Sequence, residues 1–180
     1  MGDADSRGER SSDAGSGEQG LSHLRAGPHG LESRMVDVSA KASTSREAVA
    51  AARVRFPSGV LERVLAGAGP KGPVTEVARV AGVLAAKRTG EWIPMCHPLA
   101  LDLVEIGFER LADDPDCLEI RCRTACTGRT GVEMEAMVGA SAAALTVYDM
   151  TKALSKGIAI EAVRLLEKRG GKSGHWTAGS

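Results

Sequence analysis

The sequence has few aromatic residues and no excess of either charge. Only five of its 180 residues are Phe, Trp or Tyr, and 23 basic residues balance 23 acidic ones. An RNA-binding sheet that stacks bases needs several aromatic rings on one face, and binding to DNA or an anionic membrane favours a basic excess. We therefore expect no nucleic-acid or membrane partner. The hydrophobic core must be built mainly from Ala, Val, Leu and Ile.

The sequence also lacks a long hydrophobic run. Its longest uncharged apolar stretch, residues 136–148, is shorter than the roughly 20 residues that a membrane-spanning helix needs. Residues 1–10 contain Asp3, Asp5 and Glu9 and no apolar block, unlike a secretory signal. We therefore expect a cytoplasmic protein whose four cysteines are reduced thiols.

The cysteines do not follow a zinc-binding pattern. Four residues separate Cys117 from Cys122, and three separate Cys122 from Cys126, whereas zinc ribbons use paired C-x2-C motifs. Strand alternation also places Cys117 and Cys122 on opposite faces. The sequence therefore predicts no metal site.

Composition divides the chain into a tail and a domain. Residues 1–34 hold seven of the 22 glycines, many Ser, Asp and Arg, and only scattered leucines. Such a segment cannot bury enough apolar surface to offset the entropy of ordering it, so we predict a disordered Gly/Ser-rich tail. Residues 35–174 are predicted to form the domain, and residues 175–180 a loose C-terminal end.

Periodicity predicts the elements of this domain. Helical spacing predicts helices at residues 58–66 and 74–89, the second with Val77, Ala81, Leu84 and Ala85 on one stripe. Alternation predicts two strands, around residues 104–109 and 118–123, which the turn-forming residues 112–116 join into an antiparallel hairpin. A long helix at residues 134–154, rich in small residues, and a strand at 158–166 follow.

One segment decides the fold class. Residues 46–56 are Ala-rich, which suits a helix, but Val49, Val54 and Phe56 also allow a strand. If the segment is a strand, the element order is βαββαβ. This order predicts an α+β, ferredoxin-like fold with an antiparallel sheet and helices on one face. A partner chain would then be expected on the other face of the sheet.

Two prolines bracket the first stretch that could carry chemistry. Pro94 and Pro98 hold Met95, Cys96 and His97 in extended backbone. Adjacent residues of an extended chain point in opposite directions, so Cys96 and His97 are not expected to act directly on each other. They could form a nucleophile and a base, metal ligands or hydrogen-bonding groups for a heterocycle; a packed thiol and a surface imidazole are equally compatible with the sequence.

Two further stretches flank the long helix. Glu133 and Glu135, on either side of Met134, either stabilise the helix start through the helix dipole or bind a guanidine-like base edge. Asp149 and Lys152 are three residues apart, on one helix face, and form either a surface ion pair or an acid and a base held together. Asp149 directly follows an uncharged stretch, which favours the second interpretation.

Lysines at turns could neutralise phosphates. Lys71 lies between Pro70 and Pro73, Lys168 precedes a glycine pair, and Lys172 follows that pair. The segment around Lys172 is not a P-loop, because Leu166 occupies the position where G-x4-G-K-[ST] requires glycine.

Together these stretches resemble the cyclic pyranopterin monophosphate synthase family of molybdenum cofactor biosynthesis. The similarity covers residues 35–174 and lies in MVDVSAK (35–41), AAKRT (85–89), IPMCHPL (93–99), TGVEMEA (130–136), LTVYDM (145–150) and GGKSG (170–174). Several motifs in the same order make the resemblance specific.

The resemblance implies a ferredoxin-like fold and a lyase activity. The substrate would be (8S)-3′,8-cyclo-7,8-dihydroguanosine 5′-triphosphate, converted to cyclic pyranopterin monophosphate and diphosphate. A homohexamer, a trimer of dimers with its active site at a dimer interface, is implied as well. In one such arrangement Lys71 and Asp149 of a site come from different subunits.

The resemblance also implies roles for individual residues. Asp149, Lys152 and Lys71 would be catalytic, and substrate would be bound by Met95, Cys96, His97, Glu133, Met134, Glu135 and Lys168. No resident cofactor is expected; Mg²⁺ can accompany the triphosphate without a dedicated site. The alternative is a non-catalytic ferredoxin-like module that binds a small ligand or serves oligomerisation, but such a module has no use for the Asp-Lys pair.

Overall fold

The computed structural model describes residues 24–67, 70–172 and 174–179. These residues fall into two units, which divide between Arg34 and Met35. In the first, β1 (Leu24–Gly27) pairs with β2 (Gly30–Ser33) as an antiparallel hairpin. The sequence-based prediction of a disordered tail at residues 1–34 thus covers a segment that contains two strands in the structure. The prediction for residues 1–23 lies outside the described residues.

The second unit contains a five-stranded sheet. Its strands are β3 (Thr44–Arg55), β4 (Leu103–Arg110), β5 (Cys117–Gly128), β6 (Ala159–Arg169) and β7 (His175–Thr177). They lie in the order β4-β5-β3-β6-β7, and each neighbouring pair is antiparallel. The ambiguous segment is thus a strand at the centre of the sheet. Residues 175–177, predicted to be loose, form its edge strand.

The helices are α1 (Val60–Leu65), α2 (Val74–Ala86), α3 (Thr89–Trp92) and α4 (Glu133–Thr151). With β3 to β6 they give the βαββαβ order, so the α+β ferredoxin-like prediction is confirmed. Among the described helices, none is long and apolar enough to cross a membrane.

The core lies between the sheet and the helices. Alternate β3 residues Ala48, Ala50, Ala52 and Val54 are fully buried there. Small side chains also bring α2 and α4 together, because a Cβ added at Gly82 would lie 2.9 Å from the Gly139 carbonyl oxygen. Close packing by the small residues of α4 is therefore confirmed.

The buried face of α2 shares Ala85 with the predicted apolar stripe and otherwise differs from it. The helix buries Val74, Ala78, Gly82, Ala85 and Ala86. Val77 and Leu84 are instead 43% and 50% exposed, and Val80 is 58% exposed. The physical reason is the close approach to α4, which only a stripe of mainly small residues permits. We call Val77, Val80 and Leu84 the α2 stripe.

The sheet face opposite the helices carries ion pairs rather than a bare apolar surface. Glu119 lies between Arg53, at 3.1 Å, and Arg121, at 2.7 Å, and its side chain is only 3% exposed. Arg123 pairs with Glu47 at 3.0 Å and with Glu105 at 3.1 Å, linking three strands. This face therefore does not by itself require a partner chain, contrary to the sequence-based argument.

Candidate active site

Asp149 lies near the C-terminal end of α4 and contacts two lysines. Its Oδ1 is 2.7 Å from Nζ of Lys152, on the next turn of the chain. Its Oδ2 is 2.7 Å from Nζ of Lys71, which precedes α2. We call these three residues the lysine cluster. The predicted Asp149–Lys152 pair is present. Lys71, which was predicted to be catalytic as well, contacts Asp149 of the same chain.

The lysine cluster consists of charged side chains that solvent can reach. Hydrogen bonds from Lys152 and then Lys71 lower the pKa of Asp149 to about 2, and Asp149 in turn raises the pKa of Lys152. The three side chains are about half exposed, at 48–54%. At neutral pH one carboxylate therefore lies between two ammonium groups, which leaves a net positive charge open to an anionic ligand.

A second group of residues lies at the opposite end of α4. Glu135 is 4% exposed, and burial, together with the negative charge of Glu133, raises the pKa of its carboxyl group. Glu133 itself pairs with Lys168 of β6, at 2.9 Å. This pair joins two predicted binding residues, and Met134 lies half-buried between the two glutamates. We call Glu133, Glu135, Lys168 and Cys96 the glutamate cluster.

Cys96 lies near Glu135. Burial and the charge of Glu135 both raise the pKa of the Cys96 thiol, so its nucleophilic thiolate is disfavoured at neutral pH. Its backbone N–H donates to the Ile93 carbonyl at 2.9 Å, which closes a turn inside the Pro-bracketed loop. A raised thiol pKa argues against Cys96 as a nucleophile, whereas the choice between a packed thiol and a binding group stays a prediction.

His97 and Met95 complete the Pro-bracketed loop. His97 Nε2 lies 2.8 Å from the carbonyl oxygen of Val36, and Met95 is 37% exposed. Within the part of the chain that the structure describes, no three His, Cys, Asp or Glu side chains converge as metal ligands. His97 is therefore held by backbone, and its immediate partner is a carbonyl oxygen.

The two clusters are far apart within one chain. Glu133 and Asp149 are 16 residues apart on a continuous helix, which corresponds to about 24 Å at 1.5 Å per residue. A nucleoside triphosphate is shorter than this distance. The structure therefore brings the predicted residues together as two separate groups and not as one pocket of a single chain.

Arg46 is a residue of this region that the sequence motifs do not indicate. Its guanidinium donates to the backbone carbonyls of Gly128, the last residue of β5, at 3.3 Å, and of Arg129, in the loop before α4, at 3.5 Å. A Cβ added at Gly171 would clash with its Nη1, so the Gly170–Gly171 turn packs directly on this side chain. An arginine near the start of a strand gives no sequence signal that it will contact both the segment before α4 and the glycine turn. These contacts depend on the pairing of β3 with β5 and β6.

Comparisons with known proteins identify the family of this chain. The model of the MoaC family matches residues 35–171, more than half of the chain. The cyclic pyranopterin monophosphate synthase of Novosphingobium aromaticivorans is 51% identical over 158 residues, which cover 88% of this chain and 97% of that protein. The matched region contains both clusters and the loop of His97. The chain belongs to the MoaC family.

Proposed function

We propose that this protein is a cyclic pyranopterin monophosphate synthase. It would convert (8S)-3′,8-cyclo-7,8-dihydroguanosine 5′-triphosphate to cyclic pyranopterin monophosphate and diphosphate, as a lyase of molybdenum cofactor biosynthesis. The 51% identity to a protein of that name, over most of both chains, carries this conclusion. The arrangement of charges in the two clusters supports it independently.

The lysine cluster supplies what the phosphate chemistry requires. The reaction forms a cyclic phosphate while diphosphate leaves, and it opens and recloses the five-membered ring of the purine. Ammonium groups of Lys71 and Lys152 stabilise the negative charge of the leaving diphosphate and donate protons. Asp149 orients both lysines, and its carboxylate accepts a proton once substrate phosphates draw the lysines away from it.

The glutamate cluster fits the base of the substrate. The guanine-derived edge presents N–H donors, and the Glu135 carboxylate can accept them in a site that excludes water. Ionisation of a buried carboxyl group costs free energy, and hydrogen bonds from such donors offset that cost. Glu133 and Lys168 form an ion pair beside Glu135, and Met134 would provide apolar contact for the base.

A second copy of the chain completes the site. Because about 24 Å of helix separates the clusters, one substrate can reach both only if they come from different chains. Two chains related by a two-fold axis can bring the C-terminal end of one α4 near the N-terminal end of the other. The exposed α2 stripe and Leu145, which is 54% exposed, offer apolar surface for chain association. We place this dimer within a homohexamer, which light scattering on the purified protein would test.

We further propose that the enzyme works in the cytoplasm without a resident cofactor. The chemistry consists of proton transfers and phosphate cyclisation, for which lysines and carboxylates are sufficient. Mg²⁺ would enter as part of the substrate, bound to its triphosphate.

Incubation with the cyclic nucleotide tests the proposal directly. We expect stoichiometric release of diphosphate together with a pterin product, both detected by chromatography and mass spectrometry. The Asp149→Asn protein serves as the matched control, since it keeps the shape of the side chain and loses its charge. Tight binding of the nucleotide with no turnover by the wild-type protein would instead support the non-catalytic binding module.

A further inference from the structure

The hydrogen bond between His97 and Val36 defines the protonation of one ring nitrogen. A carbonyl oxygen has no hydrogen to donate, so at 2.8 Å the His97 Nε2 must carry the proton. In the neutral imidazole, Nδ1 is then the unprotonated nitrogen with a free lone pair. The backbone thus selects one of the two tautomers of His97.

The two partners of this hydrogen bond lie in segments with different local restraints. On the His97 side, Pro94 and Pro98 restrict the loop, and a Cβ added at Gly90 would lie 3.3 Å from Cα and N of Pro98. On the Val36 side, the N–H of Lys41 donates to the Val38 carbonyl at 3.0 Å, and the N–H of Ser39 donates to Asp37 at 2.8 Å. The bond therefore joins a proline-restricted loop to a segment that forms its own turn.

We propose that the Val36 carbonyl is a positioning group that presents Nδ1 of His97 to the substrate as a hydrogen-bond or proton acceptor. Residues 35–38 would then be part of the active site through their backbone. This inference rests on the proposed function, since it assigns His97 its substrate-facing atom. A neutral His97 with the proton on Nδ1 would instead offer a hydrogen-bond donor at that atom. It would then bind a substrate acceptor rather than a substrate donor, which is the opposite recognition.

The carbonyl and the side chain of Val36 can be tested separately in the full-length protein. Lactic acid at position 37 replaces the Val36–Asp37 amide by an ester, which makes the Val36 carbonyl a weaker acceptor. Asp37→Ala is its matched control, because it has the same side chain with an intact amide. Val36→Ala keeps the carbonyl and removes the packing of the side chain.

Nitrogen NMR of ¹⁵N-histidine-labelled protein reads the tautomer without any substrate. We expect the neutral His97 signal, assigned by its loss in His97→Gln, to show protonated Nε2 and unprotonated Nδ1 in the wild type, Asp37→Ala and Val36→Ala proteins. In the ester protein the signal should move toward a tautomer mixture, and kcat/KM should fall about fivefold relative to Asp37→Ala, the size expected for one weakened hydrogen bond.

Three results would overturn the inference: a proton on Nδ1 in the wild type, an ester protein identical to Asp37→Ala, or a loss in Val36→Ala as large as in the ester protein. Failure of the proposed function is distinguishable from all three. In that case the wild-type protein would release no diphosphate, while the NMR spectrum of the free protein would still report the tautomer of His97.

Discussion

At the scale of single residues, Asp149 is the group on which the lysine cluster depends. It accepts from two lysines at 2.7 Å each, so Asp149→Asn removes the charge that holds both ammonium groups. We expect the variant to stay folded, because all three side chains are about half exposed and such pairs contribute little to stability. Turnover should fall by a factor on the order of a hundred or more.

Lys152→Ala should lower turnover by a similar factor. The double variant, Asp149→Asn with Lys152→Ala, should be scarcely slower than the poorer single variant, since the effects of residues that act together are not additive. Steady-state diphosphate release measures all three. Glu76→Gln is the control, because Glu76 and Arg79 form an exposed i,i+3 pair on α2 like that of Asp149 and Lys152. Near-normal turnover of Asp149→Asn would reduce the cluster to a surface ion pair.

Glu135 gives a second prediction at this scale, for the dependence of KM on pH. Burial raises its pKa above the ordinary value of 4.5 in the free enzyme, and substrate N–H donors favour the ionised form. Binding therefore weakens as the pH falls through that raised pKa, so KM should rise on the acidic side. Asp149 cannot cause this change, since its pKa of about 2 keeps it ionised there.

Glu135→Gln should remove this acidic rise in KM, because the amide does not titrate. KM should be higher at every pH, because the amide keeps one acceptor and lacks the negative charge. Initial rates over a range of substrate concentration, measured from pH 4.5 upward, test this. An acidic rise in KM that persists unchanged in Glu135→Gln would assign the titration to another group or to the substrate phosphates.

At the scale of elements, the packing of α2 on α4 depends on Gly82. A Cβ there would lie 2.9 Å from the Gly139 carbonyl oxygen and 2.9 Å from Ile106 Cδ1, closer than real Cβ atoms come. Gly82→Ala gains up to about 1 kcal/mol of helix propensity. Overpacking costs about 1–3 kcal/mol, and because one contact is backbone, we expect the cost to prevail.

Urea unfolding at one fixed protein concentration measures this difference, since the stability of an oligomer depends on concentration. Gly107→Ala is the matched control, because a Cβ at Gly107 meets nothing within 4 Å. An equal or higher midpoint for Gly82→Ala than for the wild type would show that the two helices can separate without loss.

Elements were predictable from the sequence where the pattern was local. Alternation located β4 and β5, and helical spacing located α2 and α4, because these patterns depend only on neighbouring residues. The buried face of α2 was not predictable, since the choice between the α2 stripe and the small residues depends on how closely α4 approaches. The ambiguity of β3 has the same origin: its alanines suit either state until the strands on both sides pair with it.

The site was predictable to a similar extent. Motifs located Asp149, Lys152, Lys71 and the Pro-bracketed loop, since each motif is contiguous or nearly so in the sequence. They could not show that Lys71 contacts Asp149 of the same chain, which depends on the placement of the loop before α2. Nor could they show the role of Arg46, whose partners lie more than 80 positions away in the sequence.

At the scale of the whole molecule, the length of α4 leads us to predict how oligomers of two different defective chains behave. If each site combines the lysine cluster of one chain with the glutamate cluster of another, two defective chains can complement each other. We therefore mix Asp149→Asn chains with Glu135→Ala chains, dissociate them and allow reassembly. Half of the dimers should be mixed, and each mixed dimer holds one intact site, so about a quarter of wild-type activity should return.

Lys71→Ala mixed with Asp149→Asn is the matched control. Those two residues contact each other in one chain at 2.7 Å, so every mixed site keeps at least one defect in its lysine cluster and no activity should return. Chain exchange is verified in both mixtures by mass spectrometry of differently tagged chains. Recovery in the first mixture alone shows that the clusters of a site come from different chains. If exchange is complete and neither mixture recovers, both clusters act within one chain, and α4 cannot be the straight helix that separates them by about 24 Å.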